Sequence, residues 1–268
     1  MSAKQRVLDR REYPIFPECI PPVRSARGHY ASRFATSSED LDSVMRLRFE
    51  VFNLELGEGL DESYDTGRDC DIYDLSCHHL MVSDLASDRL VGTYRMQTST
   101  MAAQHNGFYS ADLFDLSSLP RRVIDDAVEL SRACIARDFR QQHVLFFLWR
   151  GLAAYVKHNR KRYLFGCCSL TSQDPDDGRR VMAHLTREQL VHPEYRVSPQ
   201  PHCACYAEQT PTREYEPVEL PSLFRTYVRH GALICGPPAI DRSFKTIDFL
   251  VLFDIEKMDP SLFRLFFD

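Results

Sequence analysis

Strand and helix patterns alternating along 268 residues predict an α/β fold, one mixed central sheet with helices on both faces. Three observations predict it. Apolar residues in 39–56 and again in 142–158 recur at helical spacing. Short apolar runs at 79–83 and 90–96 are joined by the polar turn Ala86-Ser87-Asp88-Arg89, the pattern of a hairpin. Neither a G-x-G-x-x-G nor a G-x-x-x-x-G-K-[ST] loop occurs, which sets aside a doubly wound nucleotide-binding sheet.

Taken in order, residues 1–28 hold Pro14, Pro17, Pro21 and Pro22, whose fixed φ and missing N–H favour an extended arm. Residues 29–268 then read as a single domain with a C-terminal extension. A strand over 30–35 leads to Ser37 and Ser38, hydroxyls able to cap a helix beginning near Glu39. Leu41, Val44, Met45, Val51, Phe52 and Leu56 form its apolar stripe, and Gly57 stops it. An Asp- and Gly-rich loop spans 58–74. The hairpin follows, then a strand over 127–136, a helix over 142–158 and a strand over 163–169. Beyond these come a helix over 177–191, a Pro-rich connector over 193–221, a helix over 223–230, a strand over 246–254 and a short terminal helix.

Composition narrows the function. A net charge of −5 argues against a general nucleic-acid binder, which needs a basic balance to neutralise phosphates. Five of the 33 basic residues are lysines, leaving 28 arginines with planar donor forks suited to carboxylate or phosphate partners. Nine cysteines without a C-x-x-C pair, and a start lacking an apolar leader, fit reduced thiols in a cytoplasm. Cys203 and Cys205 form only a C-x-C beside His202, short of a zinc ligand set, so no metal is expected. The apolar run Phe249 to Phe253 is far below the roughly 20 residues of a membrane-spanning helix.

Several charges sit where apolar residues belong. Arg48 shares a helix face with Leu41, Val44 and Phe52. Either its stem packs while its head reaches water, or it is buried and held by Asp69, Asp71 or Asp74 of the following loop. In the strand around Glu129-Leu130-Ser131-Arg132, Glu129 and Ser131 share a face. A β-bulge would bring Arg132 round to it; a strand with a wet polar face explains the same residues. The turn Arg137, Asp138, Phe139, Arg140, Gln141, Gln142, His143 puts backbone amides and two arginines at a helix start, a place for a phosphate. Cys134 is a rival nucleophile, although a cysteine inside a strand commonly serves as a small apolar side chain. Arg121, Arg122, Arg137, Arg140 and the run 158–162 offer a basic landing surface for an acidic partner.

Arg48-x-x-x-Phe52, Asp71-x-x-Asp74, Val91-Gly92-x-x-Arg95 and Glu129-x-x-Arg132, in this order, resemble acyl-homoserine-lactone synthases. His78-His79-Leu80-Met81-Val82, Gly107-Phe108-Tyr109-Ser110, Gly166-Cys167-Cys168-Ser169 and Pro238-Ala239-Ile240-Asp241-x-x-Phe244-x-x-x-Asp248 resemble more closely the ornithine-lipid type, or haemolysin-like, N-acyltransferases. That resemblance covers about 30–267 and implies an acetyltransferase (GNAT) fold, an acyl carrier protein as donor partner and an amino acid as acceptor. It implies Glu129 as base with Arg132 at the catalytic centre. Arg48, Phe52, Asp71, Asp74, Arg95 and Ser131 would then shape the substrate pocket. Arg137, Arg140, Gln141, Gln142 and His143 would hold the donor phosphate. Coenzyme A users of the fold carry a glycine in the corresponding loop, whereas Arg140 to Leu145 has none. A phosphopantetheine arm with one phosphodiester suits such a loop better than the pyrophosphate of coenzyme A, without excluding it. No permanently bound cofactor is expected. A lipid-like product makes peripheral contact with the inner membrane face reasonable. The rival readings are a homoserine-lactone synthase and a catalytically silent acyl-binding module.

Overall fold

Ser37 opens the first long helix as expected, its hydroxyl accepting from the Asp40 amide at 3.2 Å. The computed structural model describes residues 13–22, 24–140, 142–206 and 218–267. Nine strands form one sheet: β1 (Ser25–Arg27), β2 (Tyr30–Phe34), β3 (His78–Asp84), β4 (Arg89–Thr98), β5 (Ala127–Ile135), β6 (Tyr163–Leu170), β7 (Leu233–Ile234), β8 (Ala239–Asp241) and β9 (Thr246–Asp254). Their spatial order is β1-β2-β3-β4-β5-β6-β9-β7, with β8 also on β9. The β5–β6 pair is parallel and the other ladders are antiparallel, so the sheet is mixed as predicted. Strands β1, β7 and β8, of two or three residues each, are too short to show a period in sequence.

The helices are α1 (Ser38–Phe49), α2 (Ser63–Thr66), α3 (Ser99–Gln104), α4 (Ser110–Leu113), α5 (Arg121–Asp125), α6 (Gln142–His158), α7 (Pro175–Arg187), α8 (Ser222–Arg229) and α9 (Pro260–Phe267). Because strand side chains alternate, β3 offers Leu80 and Val82 to one face and Met81 to the other. Helix α6 covers the first so closely that a Cβ on Gly151 would stand 2.5 Å from the Leu80 methyls. Helix α1 covers the second, with Leu41, Val44, Met45 and Met81 in one buried cluster.

Three boundaries differ from the sequence reading by more than two residues. The helix read as 39–56 is α-helical to Phe49 and then widens into a π-helical turn over Glu50–Glu55, closed by the Leu56 amide on the Val51 carbonyl at 3.1 Å. The helix read as 177–191 starts at Pro175, behind the cap Asp174, and stops before Gln189, whose φ of 57° is left-handed. The arm ends earlier than residue 28, since Ser25–Arg27 pairs with β2. Its described part lies on the domain: Tyr13 is buried and His78 Nε2 donates to the Ile15 carbonyl at 2.8 Å.

Candidate active site

The β5–β6 ladder pairs Ala127 to Leu130 with Tyr163 to Gly166 and ends there. Gly166 marks the parting point, because a Cβ on it would stand 2.1 Å from the Leu130 carbonyl oxygen. Beyond it Ser131 to Ile135 on one side and Cys167 to Ser169 on the other line a cleft of about 440 Å³. Val51 and Phe52 from the π-turn, Leu145 and Leu148 from α6, and Leu223 and Phe224 from α8 give it apolar walls. Phe52 meets the Phe244 ring edge-on at 5.3 Å.

The bulge expected beside Glu129 is present. Two steps on β4, Thr93 to Arg95, face three on β5, Cys134 to Ser131, and Arg132 takes up the surplus with a φ of 51°. A left-handed arginine is a strained conformation held by its surroundings. Arg132 Nη2 donates to Asp71 at 3.0 Å, and its guanidinium lies over the Phe244 ring at 4.0 Å and the Tyr109 ring at 4.8 Å.

Arg48 is the buried alternative of the two left open by the sequence, with no exposed surface. It pairs with Asp69 at 2.6 Å and with Asp74 through both terminal nitrogens at 2.6 and 3.1 Å. Asp71 instead serves Arg95, at 2.6 Å, and Arg132. Arg95 also donates to Asp74 at 3.0 Å and to the Ser131 hydroxyl at 2.8 Å. Three arginines thus balance three aspartates, and the attraction of Arg48 and Arg95 holds the Asp74 carboxyl far below the usual range despite its burial. Burial lowers neighbouring His79 to about 4, leaving it neutral at physiological pH.

Glu129 is placed differently from a base that meets substrate. It is buried and does not line the cleft; its carboxylate accepts from the Tyr109 amide at 3.1 Å, the Ser110 amide at 2.7 Å and Gln97 Nε2 at 2.6 Å. Both oxygens are engaged in pinning the Gly107 to Ser110 loop, which sets the Tyr109 ring on Arg132. Burial raises its carboxyl while these donors oppose the rise. The carboxylates that do line the cleft are Asp248 and Glu58. Asp248 accepts from Ser169 Oγ and, at 3.2 Å, from Thr246 Oγ1. Glu58 accepts from Thr171 Oγ1. Burial and the adjacent Asp241 push Asp248 up to about 7. Only its place in the Pro238 to Asp248 block marked Asp248 beforehand, and Glu58 carried no signal beyond sitting in the acidic loop.

The turn expected to hold the donor phosphate is described in part. Arg140 lines the cleft mouth, paired with Glu55 at 2.7 Å, and Arg137 is exposed beside it. His143 is exposed, its ring stacked on Tyr30. Gln141 and the side chain of Gln142 lie outside the described residues. The basic landing surface does not form as one patch. Arg137 and Arg140 follow the C-terminal end of β5, where the cleft opens, whereas Arg121, Arg122 and 158–162 precede the N-terminal ends of the parallel strands β5 and β6. A strand length, roughly 25–30 Å, separates the two groups, and Arg162 is tied to Asp254 and Glu256. Cys134 lines the cleft, but burial pushes its thiol up to about 12, away from the thiolate a nucleophile needs. The Cys203 thiol points to the Asp112 carbonyl, and among the described residues no three His, Cys, Asp or Glu side chains gather in a metal-binding group.

A mixed sheet whose central parallel strands part around a bulge defines the acetyltransferase (GNAT) class, and residues 47–150 match the family model described as an acetyltransferase (GNAT) domain. The chain is an N-acyltransferase of that fold. Within the class its nearly full-length likeness is to the ornithine-lipid type. It is 29% identical to the L-ornithine N(alpha)-acyltransferase of Rhizobium meliloti, over 94% of this chain and 90% of that one. The enzymes of the same name from Agrobacterium fabrum, 28% identical over 86% of this chain and 83% of that one, and from Brucella abortus, 29% identical over 86% of each, agree.

Proposed function

We propose that this enzyme moves a fatty acyl group, with or without a 3-hydroxyl, from the phosphopantetheine thioester of an acyl carrier protein to the α-amine of an amino acid, with ornithine the first acceptor to test. The cleft between the parted strands carries this reading. Arg140 lines it, its walls are apolar enough for an acyl chain, and it carries the bulge and a carboxylate. Thioester aminolysis needs a neutral amine, an acceptor for its proton and donors for the oxyanion. Backbone amides of β5 beyond Leu130, where the ladder to β6 has ended, are suited to the oxyanion.

The role assigned from sequence to Glu129 passes to a cleft carboxylate, Asp248, which takes a proton from the α-ammonium. The freed amine attacks the thioester carbonyl, the tetrahedral adduct expels the thiolate, and the thiolate takes the second nitrogen proton. Glu129 acts as a positioning residue through Tyr109 and Arg132. Arg48, Arg95, Asp71 and Asp74 fix the bulge from behind, Ser131 is tied to Arg95, and Phe52 faces the acyl or pantetheine arm. The glycine-free turn at Arg140 to Leu145 favours the carrier protein over coenzyme A.

Among the described residues no helix is long and apolar enough to cross a membrane. Exposed Phe263 and Leu265 on α9 support peripheral contact with the inner membrane face, and nine free cysteines fit a cytoplasmic setting. Incubation with acyl carrier thioester or acyl-coenzyme A and a pool of amino acids, read by mass spectrometry, tests the reading. An N-acyl amino acid formed faster from the carrier protein supports it; no acylated product from either donor overturns it.

A further inference from the structure

Asp248 and Glu58 are buried acids, at 2% and 6% exposure, in a cleft whose other walls are mainly apolar. Each is held by a hydroxyl from one strand end: Ser169 donates to Asp248 and Thr171 to Glu58. Those anchors are two residues apart at the end of β6, and both line the cleft. Neither acid forms an ion pair with a described residue. Arg132, the cation nearest in effect to both, is committed to Asp69 and Asp71 in a group whose three positive and three negative charges already cancel. Buried carboxylates without a counter-ion are costly, and an ammonium bound between them would relieve that cost.

We infer that Asp248 and Glu58 form a two-point site for the two ammonium groups of a diamino-acid acceptor: Asp248 receives the reacting α-ammonium and Glu58 the side-chain ammonium. This rests on the amino-acid N-acyltransfer proposed above and adds the residue that selects the acceptor. Burial raises both carboxyls above their ordinary range, and a bound ammonium would draw them back toward the ionised form. Apolar amino acids of the same length would leave Glu58 buried and unpaired, which is the source of discrimination.

Calorimetric binding of ornithine and of norvaline, which has the same carbon chain without the terminal amine, tests this independently of turnover, alongside kcat/KM for both acceptors. The wild type is expected to favour ornithine. Glu58→Gln is expected to lower the ornithine-to-norvaline ratio at least about tenfold, chiefly through KM, the scale of one lost charged hydrogen bond. Thr171→Val, which removes only the anchor of Glu58, is expected to lower it less and in the same direction. An unchanged ratio in folded, active Glu58→Gln overturns the two-point site while leaving N-acyltransfer standing, and a wild type that prefers norvaline does so too. A protein that acylates neither acceptor and binds neither overturns both.

Discussion

Arg48 shows how much one side chain can depend on its partners. Its guanidinium has no exposed surface and is held by Asp69 and Asp74. Arg48→Met would fit the apolar stem but leave two buried carboxylates short of a counter-charge, a loss of about 3–5 kcal/mol, visible as a lower urea midpoint. Asp248 presents the reverse case. Its folded pKa, about 7, lies above the ordinary 3.8. Between those values the folded state keeps a proton that the unfolded chain releases, so its contribution to stability is full at low pH and lost as pH rises through 7. Asp241 pushes in the same direction and Arg132 opposes it. Without ligand, Tm of the wild type is therefore expected to fall from pH 5 to pH 8 by more than that of Asp248→Asn; parallel curves would show that Asp248 does not carry the effect.

At the scale of elements, the site depends on a parted ladder and a pinned loop. Gly166→Ala would drive a methyl against the Leu130 carbonyl where the strands diverge. The expected cost is about 3 kcal/mol together with loss of activity, measured by thermal melting and turnover. Glu129→Gln would face an amide NH₂ toward the Tyr109 or Ser110 N–H and loosen the loop beneath Arg132. A fall in kcat on the order of 100-fold is expected, the scale of a small misplacement, with the pH profile keeping its shape; loss of the acidic limb would restore Glu129 as the base. Much of this layer was legible beforehand. Period and capping residues located α1, α6 and the long strands, and two charges inside a strand pointed to a bulge. The parting of β5 from β6 was not legible, because it depends on a tertiary contact at Gly166. Nor was the engagement of Glu129, whose partners Gln97 and Tyr109 come from other segments.

Across the whole molecule, charge is segregated by the ends of the sheet. Arg140, which lines the cleft, and Arg137, three residues before it, are where the proposed docking of an acidic carrier protein would fall, while the basic residues at 158–162 lie a strand length away. Charge reversal of Arg137 and Arg140 together is expected to raise KM for the carrier thioester roughly tenfold and to flatten its salt dependence. The same reversal at Arg160 and Arg162 is expected to leave both unchanged; an effect there instead would relocate the docking face. Sequence supplied these charges as one cluster, since proximity in composition cannot tell one end of a sheet from the other.

The proposed reaction in the parted-strand cleft joins an acyl thioester to an amino-acid amine. The most direct measurement follows free thiol and N-acyl-ornithine together as purified enzyme turns over acyl carrier thioester in the presence of ornithine. One thiol is expected to be released per amide formed, with both stopping when ornithine is omitted. Thiol released without amide, or no release with ornithine present, would contradict it.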